Sequence, residues 1–237
     1  MAFPVSERVV YSKNPLVQVT CGLRFPPILS IVSKEPADFQ EKIRTSYPLY
    51  ERGVVLSPVI PQQTAPGLAQ FPISGALPTV HRFINEDRTE EINLARDFIS
   101  IATRKYLRWE EFKERIVLAM NALEMVYRPP FYVHIELRYQ DIIDRSALGL
   151  SQTPWRELIH SPVIGLLADP SVANLVMSAQ SQTLVKLEDN EFMNLVQTLG
   201  GQFQIIGNQL TLANQPGSQK YAIDADFYTA SRRSSGL

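Results

Sequence analysis

The chain has 237 residues, 45% of them apolar and 20% charged, with 23 Lys and Arg against 24 Asp and Glu, 17 Pro and one Cys. A chain of this length buries roughly 70% of the surface its unfolded form exposes, which excludes disorder, a collagen repeat and a disulfide scaffold. A net charge of −1 gives no overall field to draw it onto nucleic acid or an anionic membrane. The most apolar stretch, residues 161–167, is far short of the ~20 residues that cross a bilayer, and residues 1–10 lack the basic start and apolar centre of a secretory signal. Cys21 cannot form an internal disulfide. A cytoplasmic protein with no membrane partner is the expectation.

Residues 16–25 alternate, with Val17, Val19, Cys21, Leu23 and Phe25 on one face and Gln18, Thr20, Gly22 and Arg24 on the other, which predicts a half-buried strand ended by Pro26 and Pro27. A short helix is expected over 37–46, with Phe39 and Ile43 inward. Five prolines between Gly53 and Thr79 confine that stretch to edge strands and loops. Residues 78–85 and 90–103 read as the two arms of a hairpin around a polar turn at 86–89.

The most regular pattern runs over 108–127, where Phe112, Ile116, Met120, Leu123 and Tyr127 recur at three and four residues. It predicts one long amphipathic helix, started by Glu110 and Glu111 at the positive end of its dipole and stopped at Arg128-Pro129-Pro130. Residues 131–143 then alternate as a strand. Prolines behind capping residues predict short helices within 154–168. Strands follow at 175–187, 191–199, 202–206, 209–214 and 220–229, read as an antiparallel meander, and 232–237 as a frayed tail.

Three segments carry a resemblance: Asn14-Pro15-Leu16-Val17 through Leu23-Arg24-Phe25-Pro26; Arg96-Asp97-Phe98 through Arg108-Trp109-Glu110-Glu111-Phe112; and Tyr127-Arg128-Pro129-Pro130-Phe131 with Leu137-Arg138-Tyr139. Together they resemble a sporadically distributed bacterial family of roughly 250-residue proteins of unknown function, and Asp224-Ala225-Asp226-Phe227-Tyr228 is similar to that family's closing Asp-x-Asp-Tyr strand. The resemblance covers about residues 11–145 and brings no catalytic residue with it. A patchy distribution suits horizontally exchanged genes such as defence or toxin–antitoxin modules.

Asp224 and Asp226 fall on one face of their strand, about two residue rises apart, where one divalent metal could bridge them. The plainer reading is two aspartates on the wet face of a strand, and no third carboxylate stands at a metal-site spacing. His134, Glu136, Arg138 and Gln140 form a polar row that reads either as a charge ladder between strands or as a proton-transfer site. Arg24, Arg96 and Arg138, all expected on strands, are candidates to converge on an anion. Arg104, Lys105, Arg108 and Trp109 interleave basic and aromatic groups as single-strand nucleic-acid sites do, but the cluster is short and runs straight into Glu110 and Glu111. Cys21 sits on an apolar strand face, as a core thiol does. Phosphate-loop, dinucleotide, zinc-protease, Cys-x-x-Cys and nucleophile-elbow motifs are all absent, so no metal site and no cofactor is implied.

These readings add up to an α+β protein of antiparallel sheet, one long amphipathic helix and a C-terminal antiparallel meander. It divides into an N-terminal subregion at 1–145 and a C-terminal one at 146–237, packed as one unit. The function they point to is not enzymatic: a protein-binding or assembly component of a bacterial multi-component system, its partner another subunit or a second copy. The alternative is a metal-dependent nucleotidyl or phosphoryl transferase using Asp224 and Asp226.

Overall fold

The computed structural model describes residues 7, 9, 13–54, 79–188, 190–206, 209–213 and 219–229. Its strands are β1 (Leu16–Arg24), β2 (Leu49–Val54), β3 (Thr79–Ile84), β4 (Glu90–Ala95), β5 (Phe98–Thr103), β6 (His134–Ile143), β7 (Ala179–Glu188), β8 (Glu191–Gly200), β9 (Gln202–Ile206), β10 (Gln209–Ala213) and β11 (Lys220–Thr229). Nine of them form one sheet in the order β2-β3-β4-β5-β1-β6-β11-β8-β7, every pairing antiparallel, while among the described residues β9 and β10 pair only with each other. With helices on the sheet, the class is α+β. No helix among the described residues is long and apolar enough to cross a membrane.

Two features of this topology differ from the sequence expectations. Residues 90–103 are not one arm but a hairpin in themselves: Ala95 pairs with Phe98, and Arg96-Asp97 is a two-residue turn. The two polar residues interrupting an otherwise apolar run are the corner. The C-terminal strands are also not a simple meander, because β11 pairs not with β10 but between β6 and β8. One continuous sheet therefore runs through both halves of the chain. The proline-rich stretch lies outside the described residues from 55 to 78, as do residues 207–208, 214–218 and the tail read at 232–237.

The main core lies on one face of the sheet. Val19, Cys21 and Leu23 of β1 meet Ile99 and Ile101 of β5, Ile92 and Leu94 of β4, and Phe83 of β3, because opposed residues of neighbouring strands project to the same side. Over them lie α1 (Ser30–Ser33), burying Ile31, α2 (Ala37–Ile43), burying Phe39 and Ile43, and α3 (Trp109–Val126), burying Phe112, Ala119, Ala122 and Leu123. Helix α3 ends where Arg128 turns to φ +48° and its N–H reaches the Leu123 carbonyl, one residue before a proline that cannot continue the helix.

Helix α4 (Arg145–Leu148) is capped by the Asp144 carboxylate at its start and by Gly149 at φ +76° at its end. After it, α5 (Trp155–Leu158), α6 (Ser161–Ile164) and a 3-10 turn (Gly165–Ala168) pack on the far end of the same face. There Trp155, Ile164 and Leu167 make a second core with Leu199 and Tyr221.

Candidate functional site

The opposite face of the sheet is polar. Register places Gln18, Thr20, Gly22 and Arg24 of β1 across from Gln140, Arg138, Glu136 and His134 of β6, and places Asp224 and Asp226 of β11 on the other flank, opposite Gln140 and Arg138. All of these project to one side by the period-two rule, and Gln18, Thr20, Gln140 and Asp224 are buried there.

Asp224 is the best-satisfied carboxylate of the group. The Arg138 guanidinium donates from Nε to Oδ1 (2.7 Å) and from Nη2 to Oδ2 (2.6 Å), and Gln140 Nε2 adds a third bond to Oδ2 at 3.1 Å. Burial works against the charge on Arg138, but Asp224, joined by Asp226 and Glu136, more than offsets it and the guanidinium pKa moves up. Further along the same strand β6, His134 Nε2 lies 3.4 Å from Glu136 Oε2. Their mutual hydrogen bond raises the imidazole pKa and lowers that of the carboxylate.

Asp226 is treated differently. Burial, then the nearby Glu136 charge, push its pKa up to about 6 against the pull of Arg138, and its Oδ1 is buried with no hydrogen-bond partner among the described residues. Asp141, opposite Ile223, is likewise raised to about 6 by burial and by Asp224. The two aspartates singled out in the sequence thus share a face, but one is held by an arginine fork and the other is shifted toward its protonated form. Among the described residues, no group of three or more His, Cys, Asp or Glu is placed to hold a metal ion.

Of the three arginine candidates, Arg138 is spent on Asp224. Arg24 lies on the same face with its guanidinium carbon 5.9 Å from the Phe98 ring centre. Arg96 is elsewhere, exposed in the β4–β5 turn, where its carbonyl accepts from Ile28 N–H. Arg104, Lys105 and Arg108 are exposed in the connection from β5 to α3, with Lys105 3.9 Å from Asp87 and Arg108 2.6 Å from Glu111. Tyr106, the aromatic between them, turns inward against Phe112 and Tyr139, while Trp109 packs edge-on to Phe112. Cys21 is a core thiol: burial, with the Glu136 charge, pushes its pKa to about 12.

Two features were not picked out from the sequence. The first is the outer edge of β7, which pairs only with β8 among the described residues. Its first six residues are all exposed, and Leu184 remains 62% accessible. The second is a cleft beside that strand. Its floor is Ala179 and Ser181 of β7, Gln197 and Leu199 of β8 and Tyr221 of β11, and its roof is Val163–Leu167 with Val176. The legible sign of the edge was the run without charge or proline at 171–185, which takes in Ala179 through Val185. Comparison with protein-family models, with curated proteins and with solved structures found no match for the chain.

Proposed function

We propose that the chain is a non-enzymatic protein-binding or assembly component that recruits another subunit, or a second copy of itself, by strand addition at β7. The observation that carries this is the contrast between the two ends of the sheet. A free sheet edge presents unpaired backbone N–H and C=O groups, and proteins ordinarily blunt it with charge, proline or a bulge. Edge strand β2 carries Glu51 and Arg52, both in ion pairs. Edge strand β7 has its bulge and its charges only at the Lys186–Glu188 end, and leaves Ala179 through Val185 flat, uncharged and exposed apart from half-buried Val185. Such a segment offers main-chain hydrogen bonds to an incoming strand.

The resemblance of the first 145 residues to a patchily distributed bacterial family supports placing this assembly in a multi-component system of the defence or toxin–antitoxin kind. A metal-dependent nucleotidyl or phosphoryl transferase built on Asp224 and Asp226 has less support, since both oxygens of Asp224 face Arg138.

Size-exclusion chromatography with light scattering tests the reading. The wild-type chain should run as an assembly larger than its 26.8 kDa, alone or with its co-expressed partner. Leu184→Lys, a gatekeeper charge at an exposed position, should dissolve it while leaving the circular dichroism unchanged. A chain that stays monomeric and partnerless, or an assembly indifferent to the lysine, would overturn it.

A further inference from the structure

The cleft under α6 and the 3-10 turn has an accessible volume of about 190 Å³, and no Asp, Glu, Lys or Arg lines it. An apolar cavity of about 150 Å³ is enough to take up benzene, so the space is of the right order for one ring or a branched chain of that size. A charged guest would lose its hydration with no counter-charge in reach.

Ser178, Gln180 and Ser181 of the lining are exposed, and Gln197 is its buried amide. Gln197 is 93% buried on the floor, the complement of its 7% exposure. Its carbonyl Oε1 accepts from the Tyr221 hydroxyl at 3.0 Å and from the Ser181 hydroxyl at 3.5 Å. Those two bonds satisfy the amide oxygen. The amide nitrogen, with two N–H donors, has no partner among the described residues. That nitrogen is open to the solvent in the cleft, and in a mostly uncharged pocket a few fixed polar groups of this kind set the orientation of a guest that displaces the water.

We propose that this cleft is a binding site for a small neutral molecule that joins a ring-sized apolar body to one hydrogen-bond acceptor, a carbonyl or ether oxygen, which Gln197 Nε2 engages. The apolar body packs between Val163 and Leu167 above and Leu199 and Tyr221 below. The site stands independently of strand addition at β7, because the guest contacts the inner face of that strand and leaves its outer edge free.

The test uses the full chain and two probes of nearly the same shape, acetophenone and α-methylstyrene, which differ in the carbonyl oxygen. In ¹H–¹⁵N correlation spectra, acetophenone should shift the amides of residues 163–167 and 197–199 together with the side-chain NH₂ of Gln197. It should bind roughly five- to tenfold more tightly than the hydrocarbon, the usual effect of one buried hydrogen bond. Gln197→Met should erase that preference. Val163→Phe, a change at the half-open rim, should weaken both probes, which covers the case in which the Gln197 variant does not fold. Acetophenone leaving the cleft resonances unmoved would overturn the proposal, and so would equal binding of the two probes by the wild-type chain.

Discussion

Glu136 occupies space that exists only because residue 22 has no side chain. A β-carbon built on Gly22 would lie 2.4 Å from Glu136 Oε1 and 2.8 Å from its Cγ, far inside contact distance, although the two residues face each other squarely across β1 and β6. Glycine in a strand interior ordinarily weakens it, and here it marks a close approach. The carboxylate laid down over the β1 backbone is the one that holds His134.

Gly22→Ala therefore has a local and readable consequence. The methyl group expels Glu136 from its seat, and the chain should lose about 1–3 kcal/mol of stability in urea denaturation, the usual cost of overpacking. His134 should titrate closer to its ordinary value, since the Glu136 hydrogen bond is the largest cause of its upward shift. A raised histidine pKa stabilises the fold below the unfolded value and loses that contribution as pH rises through the folded one. The variant's deficit should accordingly be larger at pH 5 than at pH 8. An unchanged His134 titration by NMR would show that Glu136 accommodates the methyl without moving.

The Arg138–Asp224 fork predicts a second pattern. The side chains are 24% and 8% exposed, so removing either partner strands a charge that water reaches poorly. Asp224→Leu or Arg138→Met alone should cost about 2–4 kcal/mol, while the double variant, which removes both charges, should recover much of that loss. A double-mutant cycle by chemical denaturation measures the coupling. Additive losses would mean that the fork contributes no interaction of its own.

That fork also shows why some of this protein was legible in its sequence and some was not. The alternation over 16–25, 202–206 and 220–229 depends only on local period, and the strands fall there to within a residue. The polar row from His134 to Gln140 was visible for the same reason. Its pairing with Asp224 was not, because the two residues are 86 apart in the chain and meet only when β11 inserts between β6 and β8, a choice made by tertiary packing. Arg96 misled in the other direction: it belonged by pattern to a strand, but with Asp97 it forms the corner between two. The cleft needed α6, β7, β8 and β11 together, so no window of sequence held it.

The last prediction turns on Asp226, whose folded carboxyl keeps its proton up to about pH 6 while the unfolded chain releases it near the ordinary 3.8. Between those values the folded state binds more protons than the unfolded state, so this group makes stability fall as pH rises from about 4 to about 6, and the penalty persists unchanged above that. The sign is opposite to that of Glu136, whose lowered pKa stabilises the fold above its unfolded value. Asp226→Asn keeps the shape and removes the charge that burial and Glu136 oppose. It should stabilise the protein by about 1–2 kcal/mol at pH 7, with the gain shrinking through pH 5 and vanishing below pH 4. Paired urea titrations of the wild type and the variant at four pH values measure this directly, because the contributions of Asp141, Glu136 and His134 are common to both chains and cancel to first order. A difference that does not vary with pH would show that Asp226 is an ordinary exposed carboxylate.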